Sequence, residues 1–250
     1  MLKPGKYIPF NYSLWLPLLI IIQYIFVNNI SAQLSIDNLD YNRIPQKKII
    51  EFVEHHKKNG YKLFSEFMPK CFRIQDSAGY RKISTTYIIH GKTDAVWNEY
   101  LSIQPSQAYS GRIVGFGFLY SKDDDRILYK EDSIDVMKEG QLLFFNIKLL
   151  GGFLNLGVAD EVTAIDSKLK MIRFCYIDNC KTEGTQEIQL KSTSEGFTEI
   201  THGTWYKSKS RFRDSVLYPF FHKRSVNEFH NIIRDRFERD NQLLSGASSE

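Results

Sequence analysis

Two hydrophobic periods divide this chain. From residue 83 onward, runs rich in β-branched and aromatic residues recur at 83–90, 112–120, 126–132, 141–149, 157–166, 170–178, 184–192 and 196–206. Such runs predict strands. The links between most of them are short and polar, as at Lys122-Asp123-Asp124-Asp125, Glu139-Gly140, Asp178-Asn179 and Ser194-Glu195-Gly196. Links of that length predict antiparallel hairpins rather than parallel crossovers. Helical periodicity frames the strands. A helix starts near Pro45 with Ile49, Ile50, Phe52 and Val53 on its apolar face and ends at Asn59-Gly60. A short amphipathic piece covers 61–68, and a helix over 95–103 groups Val96, Trp97, Tyr100 and Leu101. The last helix spans 214–239, with Val216, Phe220, Val226, Phe229, Ile233 and Phe237 as a long apolar stripe and Pro219 at a kink or first turn. Residues 33–44 read as a loose polar lead-in.

The order predicts an α+β fold: an antiparallel β-sheet wrapped around a long C-terminal α-helix, with a short N-terminal helical extension. The organisation expected is a leader over 1–32, the helical extension over 33–78, the main domain over 79–240 and a frayed tail over 241–250. The leader combines Lys3 and Lys6 with the apolar run LWLPLLIIIQYIFV at 14–27 and a small residue, Ala32, ahead of a polar start. That is the pattern of a secretory signal peptide cut after Ala32, giving a periplasmic or secreted protein. The competing reading is an uncleaved membrane anchor, although a span needs about 20 apolar residues and the run is interrupted by Pro17 and Gln23. No other membrane contact is expected.

Composition narrows the function classes. The chain has 33 basic and 29 acidic residues, and two of the basic ones belong to the leader. So small an excess lacks the field of a nucleic-acid binder. Export would place Cys71, Cys175 and Cys180 in an oxidising compartment. Three thiols leave at least one unpaired; Cys175 and Cys180 are close in sequence, yet idle thiols are the expectation. His55-His56 invites a metal, but neighbours on a helix diverge by about 100°, and Lys57 and Lys58 beside them point to a solvated face. No residue is assigned a catalytic or metal role, and no cofactor is expected. There is no Gly-x-Ser-x-Gly elbow and no phosphate-binding glycine loop. Gly115-Phe116-Gly117 inside a strand marks a bulge or a close backbone approach.

The segment GYRKISTTYIIHGKTDAVWNEYL, residues 79–101, followed by the run of strands and one long helix, resembles the START-like (SRPBCC, helix-grip) superfamily. Phe174-Cys175-Tyr176, Gly184-Thr185-Gln186-Glu187-Ile188 and the helix containing Pro219 resemble an uncharacterised group, the domain of unknown function nineteen-ninety. The group's His-Pro and both of its Glu positions are absent, with Thr185 and Gln186 at the latter. The likeness covers about two-thirds of the chain. It implies a mostly apolar cavity between the sheet and the long helix.

Strand alternation nominates the residues facing that cavity: Phe174 and Tyr176 with Ile172, then Gln186 and Ile188 with Leu190. For 196–206 either the set containing His202 (Thr198, Ile200, His202, Thr204) or the one containing Trp205 faces inward. The candidate ligand-binding set is Phe174, Tyr176, Gln186, Ile188 and His202. The function expected is binding of a hydrophobic or lipid-like small molecule by an exported protein. An interaction module at the cell envelope, using the N-terminal helices or the arginines of the last helix, is the first alternative. A cyclase or hydrolase pairing His202 with Asp160, Glu161 or Glu187 is the second.

Overall fold

The computed structural model describes residues 33–247. The leader assigned to 1–32 lies outside the described residues, as does the end of the tail; the tail expected to fray from 241 instead continues the last helix to Ala247. Among the described residues, eight strands form one antiparallel sheet. They are β1 (Arg81–Ile89), β2 (Val114–Ser121), β3 (Arg126–Tyr129), β4 (Gln141–Leu149), β5 (Leu154–Asp166), β6 (Met171–Tyr176), β7 (Thr182–Ser192) and β8 (Thr198–Ser208). The order across the sheet is β1-β8-β7-β6-β5-β4-β2-β3. Helix α1 (Lys47–Lys58) precedes the sheet, α2 (Thr93–Ser102) and α3 (Pro105–Ala108) connect β1 to β2, and α4 (Tyr218–Ala247) follows β8. This is the helix-grip fold: the sheet curves around α4. Two register shifts, at Phe116/Phe118 and Val162/Ala164, supply bends of the kind that bulges introduce.

Why α4 seats in the sheet follows from its spacing. Val226, Phe229, Ile233 and Phe237 recur at three and four residues and are buried. The last three join the core that contains Val162, Ile172, Ile188, Ile200, Trp97 and Tyr100. Val216 and Phe220, expected on the same stripe, are exposed. Phe220 precedes Val226 by six residues, which turns the two well away from each other on a helix. A single π-helical turn over Arg213–Leu217 leads into α4, next to Pro219. A proline nitrogen cannot donate to the carbonyl four residues back, and a wider turn accommodates the gap.

A second core lies on the outer face of the sheet. Helix α1 and the segments around it bury Ile36, Leu39, Ile44, Ile49, Val53, Phe64 and Phe67 against Phe118, Phe144 and Ala159. The lead-in over 33–44 is therefore not loose: it makes two short 3-10 turns and contributes core residues. The piece at 61–68 contains only the turn Phe64–Glu66. Close approach of α1 requires two glycines in the sheet. A Cβ on Gly157 would stand 2.2 Å from the Lys48 carbonyl oxygen, and one on Gly117 would stand 2.3 Å from Ile49 Cδ1. The described residues from Leu34 onward form one compact unit.

Two further expectations are corrected. His56 is fully buried rather than solvated, with Nδ1 at 2.9 Å from the Phe52 carbonyl and Nε2 at 3.0 Å from the Asp178 carbonyl. It completes an aromatic cluster with Phe52, Tyr61 and Phe67, so that of the two histidines only His55 meets solvent. The cysteines are not idle either. Cys71 and Cys175 form a disulfide with Cα atoms 5.0 Å apart, and Cys180 remains free. The bridge ties residues 68–72 across the outer face, where Lys70 also pairs with Tyr176 and Gly184 through backbone hydrogen bonds.

Candidate functional site

The inner face of the sheet carries a polar chain through an otherwise apolar interior. Strand β8 presents Thr198, Ile200, His202 and Thr204 inward, which decides between the two alternations, and leaves Trp205 outside. On β7 the inward set is Gln186, Ile188 and Leu190, and on β6 it is Ile172, Phe174 and Tyr176. Register places Gln186 between Phe174 and Thr204, and Ile188 between Ile172 and His202. All five nominated residues thus lie on one face. Gln186 and His202 touch, Tyr176 meets α4, and Phe174 and Ile188 are apolar wall.

Five side chains link in sequence. The Tyr100 hydroxyl lies 2.6 Å from His230 Nδ1, and His230 Nε2 lies 2.9 Å from His202 Nδ1. His202 Nε2 lies 3.2 Å from Gln186 Oε1, and Gln186 Nε2 donates to Asp160 Oδ2 at 2.8 Å. The direction of every bond follows from the last one together with the burial that keeps both imidazoles neutral. Gln186 offers its amide N–H to Asp160, so its Oε1 accepts, and His202 must donate from Nε2. His202 Nδ1 then accepts from His230 Nε2–H, and His230 Nδ1 accepts the tyrosine proton. Both imidazoles are neutral Nε2–H tautomers.

Burial sets the charges. Asp160, His202 and His230 are 5%, 6% and 2% exposed. Desolvation raises the Asp160 carboxyl to about 7, against the lowering effect of the Gln186 hydrogen bond. The same cause holds His202 well below the ordinary imidazole value, helped by His230 and His222, and lowers His230 to about 3. One atom of the chain is unsatisfied: Asp160 Oδ1 is buried without a hydrogen-bond partner among the described residues. Further aromatic alcohols cluster at the head of α4. The Tyr176 and Tyr218 hydroxyls are 2.6 Å apart, Tyr218 stacks on Tyr206 with centroids 3.8 Å apart, and His222 Nε2 bonds the Thr204 hydroxyl at 2.9 Å.

Of the three carboxylates that could accompany His202, only Asp160 is linked to it, through Gln186. Glu161 pairs with Lys122 at 2.7 Å, and Glu187 pairs with Arg173 at 2.8 Å. His230, His222, Tyr100 and Tyr218 carry the site as well, although none stands out in the sequence as a site residue. A signal for three of them is present in the last helix. Tyr218 and His222 are four apart, His230 follows eight later, and all lie on the side that carries Val226, Phe229 and Ile233.

Among the described residues, a pair of solvent-open hollows lies away from the polar chain. One, of about 430 Å³, runs along α4 beside Ile113, Asn227 and Glu228; the other, of about 480 Å³, lies on the outer face over Phe72, Arg173, Glu187 and Trp205. Packed side chains occupy the space between sheet and α4, so any molecule held there is small or requires α4 to shift.

No protein-family model matches the chain. No curated protein matches it either. Solved structures align with about two-thirds of it. Major latex-like protein 151 from Panax ginseng aligns over 64% of this chain and 99% of its own, at 13% identity and a TM-score of 0.46. Norcoclaurine synthase from Thalictrum flavum, in complex with dopamine and hydroxybenzaldehyde, aligns over 67% and 93%, at 12% identity and a TM-score of 0.47. A protein from Thermus thermophilus aligns over 64% and 99%, at 9% identity and a TM-score of 0.46. Likeness of this degree says nothing about the chemistry of this chain; its helix-grip architecture stands on its own strand order and its own helix.

Proposed function

We propose that the domain binds a small, mainly apolar molecule between the sheet and the head of α4, and that Asp160 anchors the molecule's single hydrogen-bond donor. The observation that carries this reading is the unpaired Asp160 Oδ1, buried at the end of a chain in which every other link is made. Leaving such an atom unsatisfied costs on the order of 1–3 kcal/mol. A ligand donor at Oδ1 recovers that cost, while Phe174, Ile188 and Tyr176 supply apolar wall. A few fixed polar groups in an apolar enclosure are what orient a small ligand. A carboxyl raised to about 7 accepts a neutral donor or, ionised, a cationic amine. The Cys71–Cys175 bridge supports the further reading that the protein is exported to an oxidising compartment.

The test is a matched pair of probes. Aminonaphthalene and naphthalene, titrated into residues 33–250 at pH 8, differ only by the donor. We expect the amine to bind about tenfold more tightly or better. Asp160→Asn, which keeps an acceptor for Gln186 and turns the other atom into a donor, should erase the difference. Equal affinities in the wild-type protein would end the proposal.

A further inference from the structure

The end of the molecule at which α4 begins carries an apolar surface set among positive charges. Strands alternate in direction, so β4 ends, β5 begins and β8 ends at one edge of the fold. The tip of the β4–β5 hairpin and the head of α4 therefore share that edge. Of the twelve large hydrophobic side chains that are exposed among the described residues, seven belong to these two segments, a concentration that scattered surface residues do not produce. Phe153 is 96% exposed at the hairpin tip, flanked by Leu150 and Leu154; Phe212 and Phe220 are 65% and 50% exposed at the helix head, with Val216 and Leu217 between them. The tip is held out by a backbone that side chains disfavour: Leu150 has φ 50° and is followed by Gly151 and Gly152 at 70° and 98°.

Charge accompanies the apolar residues. Residues 207–224 contain six Lys or Arg and one acid, Asp214. Asp214 is buried and engaged by Ser208, so it does not face outward. Lys209, Arg211 and Lys223 are exposed and have no ion-pair partner among the described residues, and the Arg224 guanidinium lies 4.2 Å from the centre of the Phe220 ring. The whole chain has a net charge of +4, so this short stretch holds more positive charge than the molecule as a whole.

We propose that this edge docks on an anionic lipid surface, Phe153, Phe212 and Phe220 entering the interface and Lys209, Arg211, Lys223 and Arg224 meeting the headgroups. A protein partner of ordinary composition supplies no comparable sheet of negative charge over an apolar layer; a bilayer with acidic headgroups supplies both. None of these residues belongs to the polar chain, so the docking is independent of what the interior holds.

The experiment is vesicle flotation with residues 33–250, the compact unit without the apolar leader, which would bind vesicles by itself. The vesicles are phosphatidylcholine alone and phosphatidylcholine mixed with phosphatidylglycerol. The protein should float with the mixed vesicles, remain unbound with phosphatidylcholine alone, and be released at high salt. Lys209→Gln and Arg211→Gln should each lower partitioning about fivefold. Phe153→Ser, at a hairpin tip where it disturbs no core, and Phe220→Ser should abolish flotation with the circular dichroism spectrum unchanged. No flotation on mixed vesicles, equal flotation on both kinds, or flotation indifferent to all four substitutions overturns the proposal. So does concentration-dependent dimerisation without flotation that Phe153→Ser and Phe220→Ser abolish, which would assign the edge to a second copy of the chain.

Discussion

Asp160 and the interior histidines respond to pH in opposite directions. Burial raises the folded carboxyl from 3.8 to about 7, so between those values the folded state holds a proton that the unfolded state has lost. Its contribution is favourable below about pH 4 and is lost as pH rises through 7. His202, His230 and His222 are lowered by burial, the last to about 4, so they favour folding above about pH 6.5 and their contribution is lost as pH falls below it. Three groups outweigh one, and urea unfolding should show stability falling from pH 7 to pH 5. Asp160→Asn should raise stability at pH 8 by on the order of 1–3 kcal/mol and steepen the loss on the acid side. At the far end of the chain, Tyr100→Phe takes the donor from His230 Nδ1 and should cost about 1–3 kcal/mol. Nitrogen NMR of the wild-type protein at pH 8 should find His202 and His230 both as Nε2–H tautomers. A mixture of tautomers would contradict the one-way order of hydrogen bonds.

Turn chemistry makes the strands legible, and phase makes the helices only partly so. Polar clusters at 122–125 and 178–179 mark hairpin ends because a chain reversing direction exposes backbone groups there, whereas Glu139-Gly140, expected to close a hairpin, ends a longer link that carries the chain from β3 past β2 to β4. The strand that carries His202 is ambiguous in sequence because both of its alternations hold a mixture of polar and apolar side chains; only its neighbours on β1 and β7 decide which face is inside. His222 and His230 are hidden for the converse reason: on an amphipathic helix a histidine reads as polar, although their positions fall on the buried side. The outer core is hidden because Ile36 sits in a 3-10 turn and Leu39 and Ile44 cap two such turns, so they follow no single period. Gly117 and Gly157 do signal that core, as glycines within strands. Gly157→Ala drives a methyl into the Lys48 carbonyl and should cost about 1–3 kcal/mol by urea unfolding, the range for an overpacked site. Gly196→Ala, with open space around it but φ 80°, strains only the turn and should be milder.

Across the whole molecule, the sheet is a shared wall between an apolar interior crossed by one polar chain and an apolar outer core, and the disulfide fastens the outer layer to it. Cys71 and Cys175 are 104 residues apart in sequence, and a loop of that length constrains the unfolded chain by about 4–5 kcal/mol in the entropy model. Unfolding with and without reductant should differ by that order, while Cys180 contributes nothing to the difference. Function, on this reading, depends on the wall's inner side receiving a small molecule at Asp160. Native mass spectrometry of residues 33–250, purified without detergent, decides the matter when wild type and Asp160→Asn are compared side by side. A discrete additional mass is expected on the wild-type protein, released by organic extraction and absent from the variant. Bare masses for both proteins, with Asp160→Asn merely more stable, would refute ligand binding at Asp160 and leave the buried chain as a structural feature of the core.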